Sequence, residues 1–321
     1  MSSQRPPPFR GHSRSREHHR VSHGLFRTED PGLSDEEAFV RDLEALLLVL
    51  PEGAVFTHIT AARLYRWQLP ALPSQVPYFA AVRGERCPRR PGLLCSRLTH
   101  QSAETWVGHL PVDTPEEVLL RCARDLGVLD LLILIDSALR MGHVSEARMR
   151  EILASARPGV ARLRRAWDLS DPAAESAGET VLRALHLAID VPVVSQVDVH
   201  DEGGQYVGRA DLLVAGATRV HEYDGAGHRD KVQHRNDLRR ERRFAGTPYD
   251  RYGFTLDDLL NHPAVILHEI DRGLGRRHSA GRLRRWRVLV GESLYSDRGR
   301  ARLINRWKRA MGVVEWSETA S

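Results

Sequence analysis

Three carboxylates, Asp211, Glu222 and Asp224, stand in two short stretches, residues 208–214 and 219–225, that are rich in Val, Leu and Tyr and bounded by glycine. Such stretches read as β-strands. The small residues at 215–218 between them suit a hairpin connection. With the turn centred between Gly216 and Ala217, Leu213 faces Val220, Asp211 faces Glu222 and Arg209 faces Asp224. Alternation along a strand then puts Asp211, Glu222 and Asp224 on one face. Two carboxylates directly opposite each other repel, so a fold that keeps them needs a cation nearby. A hard divalent ion, Mg²⁺ or Mn²⁺, takes one or two carboxylates plus a substrate phosphate and fits that need. The plainer alternative is a solvated hairpin face on which Arg209 pairs with Asp224.

The elements around the hairpin have a definite order. A helix carries Glu179, with Leu182, Leu185 and Ile189 as its apolar stripe. A strand at 193–199 follows, then the hairpin, then an arginine-rich helix at 232–245 and a strand at 249–254. Thr255 opens a short capped helix. The sequence thus predicts α-β-β-β-α-β within an α/β protein.

Upstream, Ser34 and Glu37 form a capping box that starts a helix with Phe39, Leu43, Leu46, Leu47 and Leu50 on its apolar side. A second helix is expected near 60–67, then a strand pair at 77–83 and 93–98 joined by a segment bearing Arg83, Arg86, Arg89 and Arg90. Helices followed by a basic β-ribbon are compatible with a winged-helix DNA binder, and equally with a small α+β module whose arginines are solvated. Thr114, Pro115 and Glu117 make a second capping box, followed by apolar helices near 129–135 and 145–153 that serve packing or a homodimer face. Pro- and Gly-containing segments at 157–159 and 170–174 bracket the domain boundary. The organisation expected is a disordered basic tail over 1–30, a winged-helix-like and helical domain over 31–160, an α/β domain over 170–265 and a basic extension over 266–321.

Composition narrows the class. The chain has 321 residues, 41% hydrophobic and 28% charged, which is an ordinary globular balance. Its net charge of +5 and pI of about 9.4 lean toward a polyanionic partner. Of the basic residues all but Lys231 and Lys308 are arginine, the side chain best suited to bidentate phosphate contacts. In the C-terminal extension, arginines interleave with Trp286 and Trp307, a pattern shared by nucleic-acid surfaces and packed helix edges. Cys87, Cys95 and Cys122 include no C-x-x-C pair and suggest neither a disulfide framework nor a zinc ribbon. The N-terminus has no apolar leader segment, and the longest apolar run, near 128–135, is too short to span a bilayer. A cytoplasmic protein without membrane contact is expected.

The segment 175–259 resembles the domain-of-unknown-function group allied to the very-short-patch-repair endonucleases, within the PD-(D/E)XK nuclease superfamily. The residues in matching order are Glu179, Gly208 with Asp211, Glu222 to Gly225, His228, and the basic helix from Gln233 to Arg243. Residues 57–64, Thr-His-Ile-Thr-Ala-Ala-Arg-Leu, resemble the N-terminal region of AbiEi-type antitoxin-like proteins. The resemblance implies a winged-helix-like region followed by a restriction-endonuclease-like αβββαβ domain that acts as an Mg²⁺- or Mn²⁺-dependent DNA endonuclease. Asp211 and Glu222 would hold the ion, with Glu179 or Asp224 in support, and His228 would take the proton from the attacking water. Arg239, Arg240, Arg242 and Arg243 would position phosphates. One departure stands out: where the superfamily has a lysine two residues after the acid, this chain has Asp224. That leaves a second reading, a DNA-binding regulator or antitoxin-like protein on a catalytically degenerate nuclease fold.

Overall fold

Ser34, Ser145, Ser176 and Thr255 each accept the backbone N–H three residues on, and each opens a helix. Capping satisfies an otherwise orphaned donor and fixes where the helix begins. The computed structural model describes residues 6–84, 87–98, 105–225, 244 and 247–312 of the chain. It is a mixed α/β protein that divides into two compact units. The first comprises residues 1–66, 72–125 and 301–321, and the second 67–71 and 126–300. The division after Asp125 lies well before the Pro- and Gly-containing segments at 157–174, because the helices between them pack with the second unit. The expected C-terminal extension is shared between the two.

In the first unit, strands β1 (Phe9–Arg10), β2 (His18–Ser22) and β3 (Leu25–Thr28) form an antiparallel sheet in the order β1-β3-β2. This corrects the expectation of a disordered tail. Leu25 and Phe26 are buried, and Arg27 donates from Nε to Asp42 on helix α1 (Asp35–Leu47) at 2.6 Å.

A five-stranded sheet follows: β4 (Val55–Phe56), β5 (Tyr78–Val82), β6 (Leu93–Arg97), β7 (Thr105–Val107) and β8 (Leu110–Val112), in the order β6-β5-β4-β8-β7. The predicted strand pair is present as β5 and β6, but Tyr78 aligns with Leu93 and Val82 with Arg97, so the pair is parallel. The arginine-bearing segment is a crossover returning to the same end of the sheet, not the tip of a ribbon.

Helix α2 (His58–Leu64) starts with His58 at φ +55, a left-handed conformation rare for a side-chain-bearing residue. The His58 ring stacks on Phe79 with centroids 4.1 Å apart and brings Nε2 within 3.3 Å of Asp125. Burial raises the Asp125 pKa, but hydrogen bonds from His58 and Trp307 and the charge of Arg306 outweigh it, holding the carboxyl at about 2. Helix α3 (Pro115–Cys122) begins where predicted, yet Thr114 gives it no side-chain cap and Glu117 is buried.

The second unit opens with α4 (Val128–Arg140), α5 (Glu146–Ala154), α6 (Val160–Trp167) and α7 (Ala177–Ala188). Strands β9 (Val193–His200), β10 (Tyr206–Val214), β11 (Arg219–Tyr223) and β12 (Asp250–Phe254) form one sheet in the order β12-β11-β10-β9. The first three are an antiparallel meander, and β12 runs parallel to β11. Helices α8 (Leu256–Asn261), α9 (Pro263–Gly273) and α10 (Leu283–Glu292) complete the unit. Leu182 and Leu185 of α7 share one core with Leu212, Val214 and Phe254 of the sheet.

Helix α11 (Asp297–Met311) begins in the second unit and ends in the first. Trp286 and Trp307 are each 1% exposed, so both are core residues and not platforms for stacked bases. Arginines between them, among them Arg287, Arg298 and Arg302, remain outside.

Candidate functional site

Gly216 takes φ +81 in the turn between β10 and β11, a conformation that only glycine adopts readily. The turn sets the register: Leu213 pairs with Val220 and Leu212 with His221, as the residue spacing predicted. The ladder ends there. One step further, the N–H of Tyr223 is taken by the Asp211 carboxylate at 2.9 Å instead of a strand carbonyl. Asp211 therefore sits where the two strands part, its side chain replacing a ladder bond.

The parallel pairing of β11 with β12 aligns Val220 with Arg251 and Glu222 with Gly253. Partners in a sheet point to the same face, so Glu222 and Arg251 lie together. Arg251 donates from both Nε, at 2.8 Å, and Nη2 to the single oxygen Oε2 of Glu222. The Glu222 side chain is 5% exposed and that of Arg251 20%, so the guanidinium is the outer member of the pair. It also approaches the face of the Phe244 ring, 5.6 Å from the centroid.

Asp224 occupies the same face. A Cβ added at Gly253 would lie 2.1 Å from its Oδ2, so glycine at this position is what admits the carboxylate. The ion pair of Arg209 with Asp224, which the plainer reading of a solvated hairpin face called for, is not the one formed. Arg209 donates instead to Glu175, just before α7.

Glu179 belongs to the start of α7. Its carboxylate accepts from the N–H of Glu175 at 2.8 Å, from the Ser176 hydroxyl at 2.9 Å and from Nε2 of Gln196 at 2.8 Å. Gln196 lies in β9 between the pairs Val197–Ala210 and Ser195–Leu212, across from Asp211, and has φ +53. Glu179 is thus tied to the strand beside Asp211 through an amide. Gly178 lets α7 close on the sheet, since a Cβ there would fall 2.0 Å from the Tyr223 ring.

Asp211, Glu222 and Asp224 are brought to one end of the sheet, and Glu179 borders it. His228, Arg239, Arg240, Arg242 and Arg243 lie outside the described residues, as do Lys231 and most of the predicted basic helix. Sequence reasoning missed Arg251, Gly253 and Gln196. Arg251 was within reach, because alternation along the strand at 249–254 puts it on the face of Gly253 once a parallel crossover is assumed.

Among the described residues, no group of three His, Cys, Asp or Glu side chains forms a ready metal cage. The donor chemistry still fits a hard cation. Asp211, Glu222 and Asp224 offer carboxylate oxygens, the ligands Mg²⁺ and Mn²⁺ take, on condition that Arg251 releases Glu222. No described helix is long and apolar enough to cross a membrane. No family model, curated protein or solved structure matches this chain.

Behind the acidic end of the sheet lies a buried histidine pair. Nδ1 of His186 on α7 is 2.8 Å from the Leu182 carbonyl, which makes it the protonated nitrogen. Nε2 of His186 then accepts from Nδ1 of His221 at 2.8 Å. Nε2 of His221 lies 3.1 Å from Oε2 of Glu269 without a hydrogen bond between them, and Arg219 pairs with the other Glu269 oxygen.

Burial pushes His186 down to about 4, against the opposing pull of the Leu182 carbonyl. Burial, then the His186 and Arg219 charges, push His221 down to about 2. An unfolded histidine titrates near 6.5, so the unfolded chain takes up these protons first. Stability is accordingly complete above pH 6.5 and declines as the pH falls toward about 4. His186 alone contributes up to ~1.4 kcal/mol per pH unit in that window. Urea midpoints at several pH values between neutrality and the acid end of that window will show the decline. A flat profile would mean the pair is already charged in the fold.

Proposed function

We propose that the protein is a metal-dependent phosphodiesterase acting on nucleic acid, with DNA as the substrate class and endonucleolytic cleavage as the reaction. The observation that carries this reading is the acidic end of the β10–β11–β12 sheet. There Asp211 displaces a ladder bond, Glu222 is nearly buried, and Asp224 rests in the space left by Gly253. A fold tolerates this concentration of carboxylates at a strand end where it has a cation to bind.

Asp211 and Glu222 would hold the metal, and Asp224 would add negative charge beside them. Glu179, fixed by Ser176 and Gln196, would border the site as a positioning residue. A bound Mg²⁺ or Mn²⁺ would polarise the scissile phosphate and offset charge on the leaving oxygen. His228 would accept the proton from the attacking water, and Arg239, Arg240, Arg242 and Arg243 would track the backbone without reading bases. The surplus of arginine and the exposed arginines of α10 and α11 support a polyanionic substrate.

A second reading has its own support. The ion pair between Glu222 and Arg251, with Asp224 in place of the superfamily's lysine, would suit a nuclease fold kept for binding alone, as in a DNA-binding regulator. The two readings part in one experiment. Supercoiled plasmid, single-stranded DNA and RNA are each incubated with the full chain and Mg²⁺ or Mn²⁺, with and without chelator. Chelator-sensitive nicking is the expected result. Retention of plasmid without nicking under every metal condition would overturn the hydrolase and leave the regulator.

A further inference from the structure

The Arg251 guanidinium occupies an oxygen of Glu222, the carboxylate proposed to hold the metal. Its Nε and Nη2 both donate to one oxygen of Glu222, Oε2, and the carboxylate beneath is almost closed to solvent. A divalent ion and this guanidinium therefore compete for the same carboxylate. Arginine's planar fork is equally suited to a phosphate, and Arg251 is the more exposed member of the pair. Resting on the proposed hydrolase reading, we infer that Arg251 is an exchangeable latch that holds Glu222 until a nucleic-acid phosphate draws the guanidinium away. Glu222 is then released to the metal, and Arg251 becomes a phosphate-binding residue of the same site.

The consequence is a coupling between two ligands. The phosphate supplies a new acceptor for the departing guanidinium, so metal and nucleic acid each tighten the other's binding by the same factor. Val220, the residue paired with Arg251 on β11, and the Phe244 ring are apolar neighbours of the guanidinium. Asp224 lies over Gly253, two residues further along β12, and keeps the local field negative when Arg251 leaves.

The test uses the full chain and Mn²⁺, with free Mn²⁺ read by electron paramagnetic resonance, in the absence and presence of a phosphorothioate duplex that resists cleavage. The parent protein is expected to bind Mn²⁺ roughly tenfold more tightly with the duplex than without it, the scale of one charged hydrogen-bonding contact. Arg251→Gln is expected to bind Mn²⁺ roughly tenfold more tightly than the parent without duplex, and to gain little from adding it. Arg251→Lys keeps a cation beside Glu222 and is expected to fold as the parent does, but its donors radiate from one nitrogen in place of the planar fork, so it shows an intermediate coupling. It carries the test if the glutamine variant does not fold. Parent-like Mn²⁺ affinity in both Arg251 variants, with and without duplex, would overturn the latch and make Arg251 a brace between strands. Glu222→Gln distinguishes the two levels of the argument. If it leaves Mn²⁺ affinity unchanged in both states, the metal site itself is wrong and the hydrolase reading fails with it.

Discussion

Asp211→Asn is expected to lower metal-dependent cleavage by ~10²–10³-fold or more while leaving the thermal midpoint close to the parent's. The asparagine keeps an oxygen that can accept the Tyr223 N–H, so the parted end of the β10–β11 hairpin retains its hydrogen bond. What it loses is the negative charge, and with it the attraction for a divalent ion. Activity and stability thus separate in one substitution. Rates from single-turnover plasmid nicking and a melting curve on the same preparation would measure both. Cleavage at the parental rate by a folded Asp211→Asn protein would remove Asp211 from the site.

Arg183→Met is expected to destabilise the second unit by about 3–5 kcal/mol, because it leaves Asp136 as an uncompensated buried charge. Asp136 is 1% exposed and accepts from the Asp171 N–H, the Thr180 hydroxyl and Nη2 of Arg183, each within 2.8 Å. Burial raises the pKa of Asp136 even with Arg183 alongside, a sign of how little water reaches it. This cluster joins α4 to α7, the helix that presents Gly178 and Glu179 to the sheet. Urea denaturation gives the loss directly. Combining Arg183→Met with Asp136→Asn is expected to restore part of it, since the asparagine removes the buried charge while its oxygen can still accept from Asp171 and Thr180. A double variant no more stable than the single one would place the effect in lost packing around Arg183.

Much of the second unit's plan was legible because its signals are local. Gly216 fixes a turn, the turn fixes a register, and the register brings Asp211 to the level of Glu222. The capping residues Ser34 and Thr255 mark helix starts for an equally local reason. What stayed hidden depends on distant partners. Nothing near residue 27 announces that Arg27 will find Asp42, so the N-terminal sheet looked like a solvated tail. Parallel pairing of β5 with β6 leaves no turn signature to read. The alternation of arginine and tryptophan in the last helices was ambiguous until burial showed which residue faces inward. For the site the same division holds: the carboxylates could be seen along the chain, while the guanidinium that answers Glu222 arrives from a strand beyond the crossover.

Helix α11 bears on how this chain comes off the ribosome. Trp307 donates its indole N–H to Asp125, 182 positions upstream, and packs edge-on against Phe79, so the first unit is closed by residues made only after the bulk of the second. Translation at roughly 5–20 residues per second leaves the surface around His58 and Phe79 waiting on the order of ten seconds for its cover. The second unit, uninterrupted from residue 126 to 300 apart from one short upstream stretch, is synthesised within that interval. Completion of the fold is therefore ordered in time, with the acid-bearing sheet finished before the N-terminal half is sealed.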